Sequence, residues 1–440
     1  MKILFVSLGC DKNLVDSEVM LGLLRADGFE LTDDETEADV IVVNTCGFIR
    51  DAKEESINTL LEMARYKTEG KCKALIAAGC LAQRYADEMK EELPEVDAIV
   101  GTTAYDKIGE VIRGVLEGQK VTCLKDINEL VLTEAKRVNT TGGYTSYLKI
   151  AEGCDKHCTY CIIPKMRGSY RSVPMDRLVA EAEELAAAGV KELILVAQET
   201  TLYGIDLYGM KKLPELLRRL CRIEGLEWIR ILYCYPEEIT DELIEVIKTE
   251  EKICHYLDMP IQHASDGILK RMGRKTNRAQ LEETIAKLRK EIPDIALRTT
   301  LITGFPGETK EDQKELYLFV NEMNFDRLGV FTYSAEENTP AAEMADQIPE
   351  NLKEERRDEI MELQQEIAFE KAEEMPGRTL KVLIEGKIPE DEVYLGRTYR
   401  DAPNVDGYIF VSSPYELISG DFVEVKVIEA KDYDLIGIVQ

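Results

Sequence analysis

Three cysteines lie within one short stretch, Cys154-Asp155-Lys156-His157-Cys158-Thr159-Tyr160-Cys161, with an aromatic residue just before the last of them. A strand-like run over residues 145–150 and a turn at Glu152-Gly153 lead into it. Three thiolates on a tight loop can cap three corners of an iron–sulfur cube. The fourth iron then has no protein ligand, and an open metal position is a place for chemistry. The competing chemistry is a zinc knuckle, which needs a fourth ligand that His157 could supply.

Three more cysteines share a different regularity. Cys10, Cys46 and Cys80 each follow a short apolar run, at residues 2–8, 39–43 and 73–78, and each precedes a helical pattern. Strands alternating with helices predict a parallel sheet. The carboxyl ends of its strands share one edge, where ligands bind. The fold would bring these three thiols to that rim, each before a helix whose N-terminal dipole favours a thiolate. A second three-cysteine cluster site follows. The alternative is three buried structural cysteines, since this residue is often buried. Cys72, Cys123, Cys221, Cys234 and Cys254 lack such a pattern and read as small core residues.

The pattern Cys-x-x-x-Cys-x-aromatic-Cys resembles the signature of radical S-adenosylmethionine enzymes. The resemblance implies that the cluster on Cys154, Cys158 and Cys161 chelates S-adenosylmethionine at its open iron and cleaves it to a radical. It implies that Tyr160 packs near the adenine. Glu199 matches an acidic family position after the second strand, a candidate for the amino group. Gly304 and Gly307 could let backbone approach the cofactor; plain turn glycines are the alternative. His263 reads as a strand-end histidine or a site residue. Leu8-Gly9-Cys10-Asp11-Lys12-Asn13 with Asp16-Ser17-Glu18, then Asn44-Thr45-Cys46, then Gly79-Cys80, resembles the amino-terminal domain of methylthiotransferases. That family holds an auxiliary 4Fe-4S cluster there, so the implied cofactors are two 4Fe-4S clusters and S-adenosylmethionine. The metal ligands would be Cys10, Cys46, Cys80, Cys154, Cys158 and Cys161.

The elements that must position these residues fall into three parts, an α/β fold class overall. Residues 1–139 read as a parallel α/β domain, with helices over residues 51–66 and 81–93, the former carrying Ile57, Leu60 and Leu61 on its apolar side. Residues 140–375 hold about six strand–helix units, too few for an eight-stranded barrel and suited to the partial (β/α)6 barrel of the radical family. A charged helix with one apolar stripe, over residues 349–374, closes this part. Residues 376–440 switch to a period of two, which predicts about five strands in a small antiparallel β-barrel. This tail resembles the TRAM domain that ends methylthiotransferases.

Composition narrows the partners. The chain has 440 residues, a net charge of −29, and 84 acidic against 55 basic side chains. That balance disfavours a surface built to grip phosphates and favours basic partners. The tail alone carries seven basic and twelve acidic residues, a balance of −5, which disfavours tRNA. The opening at residues 8–18 and the segment at residues 396–407 resemble the methylthiotransferase branch that acts on an aspartate of ribosomal protein S-twelve of the small subunit. A radical there would remove hydrogen from an unactivated carbon, beyond the reach of acid–base chemistry. An electron donor such as flavodoxin or ferredoxin is implied. The tRNA adenosine branch is the alternative, and a non-catalytic metal-binding adaptor the alternative of another class. The apolar start over residues 1–9 is shorter than a signal peptide of roughly 15 residues. No apolar run reaches the roughly 18 residues of a membrane helix, so a cytoplasmic protein with reduced thiols is expected.

Overall fold

The computed structural model describes residues 1–389 and 393–440; Glu390, Asp391 and Glu392, counted above among the acids of the tail, lie outside the described residues. Two all-parallel sheets of six strands are followed by a closed barrel of five.

The first sheet is built from apolar strands that bury both faces, as parallel strands covered by helices do. Val40–Thr45 and Ala74–Ala78 are buried at every position. Lys2–Ser7 lies beside Val40–Thr45, which lies beside Ala74–Ala78, then Ala98–Val100. Glu30–Thr32 and Val121–Cys123 add the two edges; their three-residue length leaves little pattern to read in the sequence.

Two helices differ from expectation. In Arg50–Ala64 the buried stripe is Ser56, Leu60 and Met63. Ile57 and Leu61 stand roughly 100° round the helix from it and are exposed at 36% and 44%. The helix expected over residues 81–93 is two, Gly79–Arg84 and Ala86–Glu92. Tyr85, at φ −126° and ψ 36°, breaks it.

The second sheet runs in sequence order from Thr145–Lys149 through Glu192–Val196, Trp228–Ile231, Ile253–Asp258 and Ala296–Thr303 to Arg327–Thr332. Strand number and direction match the expected partial barrel. Its core is the largest in the chain and includes Leu195, Ile231, Leu257 and Leu301. Helix Glu350–Glu373 lies against it through Ile360, Leu363 and Ile367.

The final barrel closes through Thr379–Ile388, Val393–Thr398, Ile409–Ser412, Asp434–Val439 and Phe422–Lys431. It is not wholly antiparallel: Ile409–Ser412 and Asp434–Val439 pair in parallel. The barrel is fastened to the start of the second sheet. Glu192, Arg230 and Arg397 are completely buried. Arg230 Nε donates to Glu192 Oε1 at 3.0 Å and Arg397 Nη2 to Glu192 Oε2 at 2.5 Å. Burial alone would raise the Glu192 carboxyl, but the two guanidiniums hold it down at about 2. Trp228 meets Phe422 edge to face at 4.8 Å.

Candidate functional site

The carboxyl ends of both sheets carry the cysteines. Cys10 precedes helix Asp11–Ala26. Cys46 follows strand Val40–Thr45, and Cys80 lies in the first turn of Gly79–Arg84. Gly9, at φ +85°, sits so close to Cys46 that a Cβ there would stand 3.0 Å from Cys46 Sγ. Burial pushes the Cys46 thiol up to about 12, and neighbouring Cys80 and Cys10 add to the shift. Burial also raises the Cys80 thiol, against the pull of Arg167 and with a contribution from Cys10. The close approach of Gly9 to Cys46 brings the ends of the first two strands together beside these thiols.

The loop trio behaves alike. Burial pushes Cys154 up to about 11, with Cys158 contributing. It raises Cys161 further, with Cys158 and Cys154 both contributing. His157 is exposed at φ 51°.

Among the described residues, no three His, Cys, Asp or Glu side chains close around a single metal ion. A lone tetrahedral ion, with sulfur bonds of about 2.3 Å, holds its thiolates within about 4 Å of each other. A cube gives each thiolate its own iron, so its ligands stand farther apart. The thiols that burial holds neutral, Cys46, Cys80, Cys154 and Cys161, become thiolates when metal charge replaces the proton. Three thiols per site are the donor set of a cube with one iron left open.

Two unpartnered groups surround the loop trio. Glu199 is fully buried; its Oε1 accepts from Thr201 N at 2.8 Å, while its Oε2 has no partner. Burial pushes its carboxyl up to about 7, against Thr201 and Lys156. Arg274 lies 4.1 Å over the Tyr235 ring and donates Nη2 to Pro260 O at 2.9 Å, while its Nε and Nη1 have no partner. Tyr235 Oη stands 3.8 Å from Cys158 Sγ. An ammonium would satisfy Glu199 and a carboxylate Arg274, the two ends of an amino acid. Tyr160 packs in a cluster with Met272, Phe305 and Tyr333.

The glycines have another explanation. The side-chain face of Gly304 is filled by the stem of Lys353. That of Gly307 is filled by Arg271, whose Cζ would stand 2.6 Å from a Cβ. Both are at positive φ, so each serves a turn and a close side-chain approach. His263 is fully buried; its Nδ1 accepts from Ser265 N at 3.0 Å, while its Nε2 has no hydrogen-bond partner.

A buried polar network links Cys80 to residues that flank the loop trio in sequence. Arg167 Nε donates to Cys80 Sγ at 3.3 Å, Nη1 to Asp16 Oδ2 at 2.6 Å and Glu152 Oε2 at 3.0 Å, and Nη2 to Asn13 Oδ1 at 3.0 Å. Lys149 pairs with Asp16 and with Glu152. Burial opposes a charged Glu152, yet Arg167 and Lys149 hold its carboxyl well below the usual range. Lys12 Nζ sits 3.3 Å over the Tyr233 ring. The resemblance pointed to none of Arg167, Arg274, Glu152 and Tyr235. Two of them have a sequence trace in proximity, Arg167 six residues after Cys161 and Glu152 two before Cys154; Arg274 and Tyr235 have none.

Comparison with known proteins agrees with this geometry. Residues 2–101 match the uncharacterized protein family UPF0004, residues 148–320 the radical SAM superfamily, and residues 377–439 the TRAM domain. Among solved structures, the radical S-adenosylmethionine methyltransferase TsrM from Kitasatospora setae shares the fold. Its TM-score is 0.56 at 16% identity, covering 77% of this chain and 76% of that one. The chain is 70% identical over 437 residues, 99% of each protein, to the ribosomal protein uS12 methylthiotransferase RimO of Lachnoclostridium phytofermentans. It is 54% identical to the protein of the same name from Acetivibrio thermocellus, over 99% of this chain and 98% of that one. Identity at this level along the whole length, with the radical SAM region at its centre, means that the chain belongs to the RimO family of ribosomal protein uS12 methylthiotransferases.

Proposed function

We propose that this protein inserts a methylthio group at the β-carbon of an aspartate of uS12, the S-twelve protein of the small ribosomal subunit. The observation that supports the reading is a thiol trio at the strand ends of each parallel sheet, with buried Arg167, six residues after Cys161, donating to Cys80 of the other trio.

In this reading Cys154, Cys158 and Cys161 hold the radical cluster, and Cys10, Cys46 and Cys80 hold the auxiliary one. When bound, the clusters and S-adenosylmethionine supply the electron, the radical that removes hydrogen, and the sulfur and methyl groups. The Glu199 carboxylate would hold the ammonium of S-adenosylmethionine and Arg274 its carboxylate, the two groups that the structure leaves with unpartnered atoms. Tyr235 and Tyr160 line that end with aromatic surface and exclude water. Lys149, Arg167, Asp16 and Glu152 balance charge between the trios, so neither domain slides against the other.

The division into residues 1–139, 140–375 and 376–440 assigns the auxiliary site, the radical core and the TRAM barrel to separate parts. The reductant is a low-potential electron carrier such as flavodoxin or ferredoxin. No helix among the described residues is long and apolar enough to cross a membrane, and a ribosomal protein as substrate supports a cytoplasmic enzyme in this reading.

Mass analysis of uS12 and of tRNA from a deletion strain tests the function. Loss of the methylthio group from uS12 supports it. Intact uS12 with tRNA lacking its methylthio group would replace it with the tRNA reading.

A further inference from the structure

Beside the rim, helix Arg50–Ala64 and the broken pair Gly79–Arg84 and Ala86–Glu92 enclose an open groove of about 470 Å³. Its floor is apolar, from Ile57, Leu81, Met89 and Leu93. The break at Tyr85 opens it, because a continuous helix would carry Ala86–Glu92 along the axis of Gly79–Arg84. The Ile57 side chain, turned away from the core, forms part of the wall.

The groove touches the reaction rim at two points. Leu81 directly follows Cys80. Glu337, on the opposite lip, belongs to the loop after strand Arg327–Thr332. That loop is bound on both sides: Arg84 and Lys53 both pair with Glu336, at 2.7 and 2.8 Å, and Lys165 Nζ donates to Asn338 O at 2.7 Å. A little farther on, Ala341 N donates to Thr159 O, inside the loop trio. The groove therefore reaches the residue after Cys80, and the loop carrying Glu337 runs on from it to the loop trio.

The charges around it are one-sided. Its two basic residues are already engaged, Arg50 with Glu54 at 2.8 Å and Lys53 with Glu336. Glu88, Glu92 and Glu337 are exposed, and among the described residues their carboxylates pair with no basic side chain; Arg84 Nη2 donates to the backbone oxygen of Glu337 at 3.1 Å instead. Three free carboxylates around an apolar floor suit an extended segment with lysines or arginines flanking an apolar anchor. A ribosomal protein that neutralises RNA phosphates is of that composition.

We infer that this groove is a docking site for a basic segment of uS12, seating the protein so that its target aspartate reaches the space between the trios. The inference rests on the proposed substrate and adds where that substrate is held.

The test measures binding of purified, fluorescently labelled uS12 to the full-length, cluster-loaded enzyme by anisotropy at fixed ionic strength. Glu88→Lys with Glu92→Lys weakens binding about tenfold. Ile57→Asp, also at an exposed position, weakens it independently of the net charge added. Substrate-free cleavage of S-adenosylmethionine stays at the wild-type rate in both. As a control for general attraction, Glu245→Lys with Glu283→Lys, exposed on helices of the second sheet, changes binding less than about twofold. Equal weakening by groove and control variants overturns the site, as does unchanged binding in the groove variants. If wild type binds uS12 through the groove but leaves it unmodified, docking stands and the function reading fails. If uS12 is modified while the groove variants bind at full strength, the docking site alone fails.

Discussion

Arg167 Nε donates a hydrogen bond to Cys80 Sγ across 3.3 Å, linking residues 87 positions apart, one in helix Ile163–Arg167 and one in helix Gly79–Arg84. The same guanidinium pairs with Asp16 and Glu152. It is therefore both a partner of a sulfur and the counter-charge for two buried carboxylates.

Replacing it separates these roles. Arg167→Met leaves Asp16 and Glu152 with only Lys149 and costs about 3–5 kcal/mol of stability. Arg167→Lys keeps the charge, loses the planar fork and costs less. Denaturant titration of the cofactor-free chain measures both. In protein that keeps its clusters, loss of the bond to sulfur moves the auxiliary potential to more negative values, read by EPR-monitored redox titration.

Glu199 ties stability to pH in the unfavourable direction. Its carboxyl is raised from 4.5 to about 7 by burial. The folded chain keeps this proton where the unfolded chain has lost it, so stability falls as pH rises from about 4.5 through about 7. The full cost above pH 7 is about 3 kcal/mol. Glu199→Gln stabilises the cofactor-free protein at pH 8, with no gain below pH 4. The same variant weakens S-adenosylmethionine binding, because an amide cannot pair with an ammonium as a carboxylate does. Equilibrium unfolding across pH, with calorimetric titration of the ligand, checks both statements.

Glu192 works the other way. Its carboxyl is lowered from 4.5 to about 2 by Arg397 and Arg230. That stability is present above about pH 4.5 and is lost as pH falls through about 2. Glu192→Gln leaves two buried guanidiniums short of a counter-charge and costs about 3–5 kcal/mol. Faster hydrogen exchange at Val393–Thr398 and Glu192–Val196, with the first sheet unchanged, is the expected signature.

Changing Cys154, Cys158 and Cys161 to Ala removes about half of the bound iron and sulfide, and changing Cys10, Cys46 and Cys80 removes the other half. Iron and acid-labile sulfide analysis of anaerobically reconstituted protein reads this directly. Unchanged iron in either variant would count against two separate clusters.

The six cysteines were legible because their signals are local or periodic. Cys154, Cys158 and Cys161 need only short spacing, and Cys10, Cys46 and Cys80 need only the end of an apolar run. Both sheets and the final barrel followed from the same periodicities. What stayed hidden is tertiary. The turn of Ile57 and Leu61 away from the core depends on which stripe of the helix meets the sheet, and several apolar residues competed for that side. Gly304 and Gly307 have a glycine's conformation for a reason, but only the fold reveals that Lys353 and Arg271 occupy the space. Arg167 and Arg274 carry no pattern, since a buried arginine is defined by the partners that neutralise it.

The final barrel meets the central sheet where its strands begin: Arg397 at Glu192, Asp401 at Arg327, Tyr399 at Asp294. The thiols stand where those strands finish. Strands of four to eight residues separate the two ends by roughly 13–26 Å. The acidic tail is thus the foundation under the chamber, not the guard at its door. Its negative charge reaches an arriving basic protein through a medium that screens over about 8 Å at physiological salt. Only a substrate deep enough to straddle the whole height of the enzyme could touch doorway and foundation together.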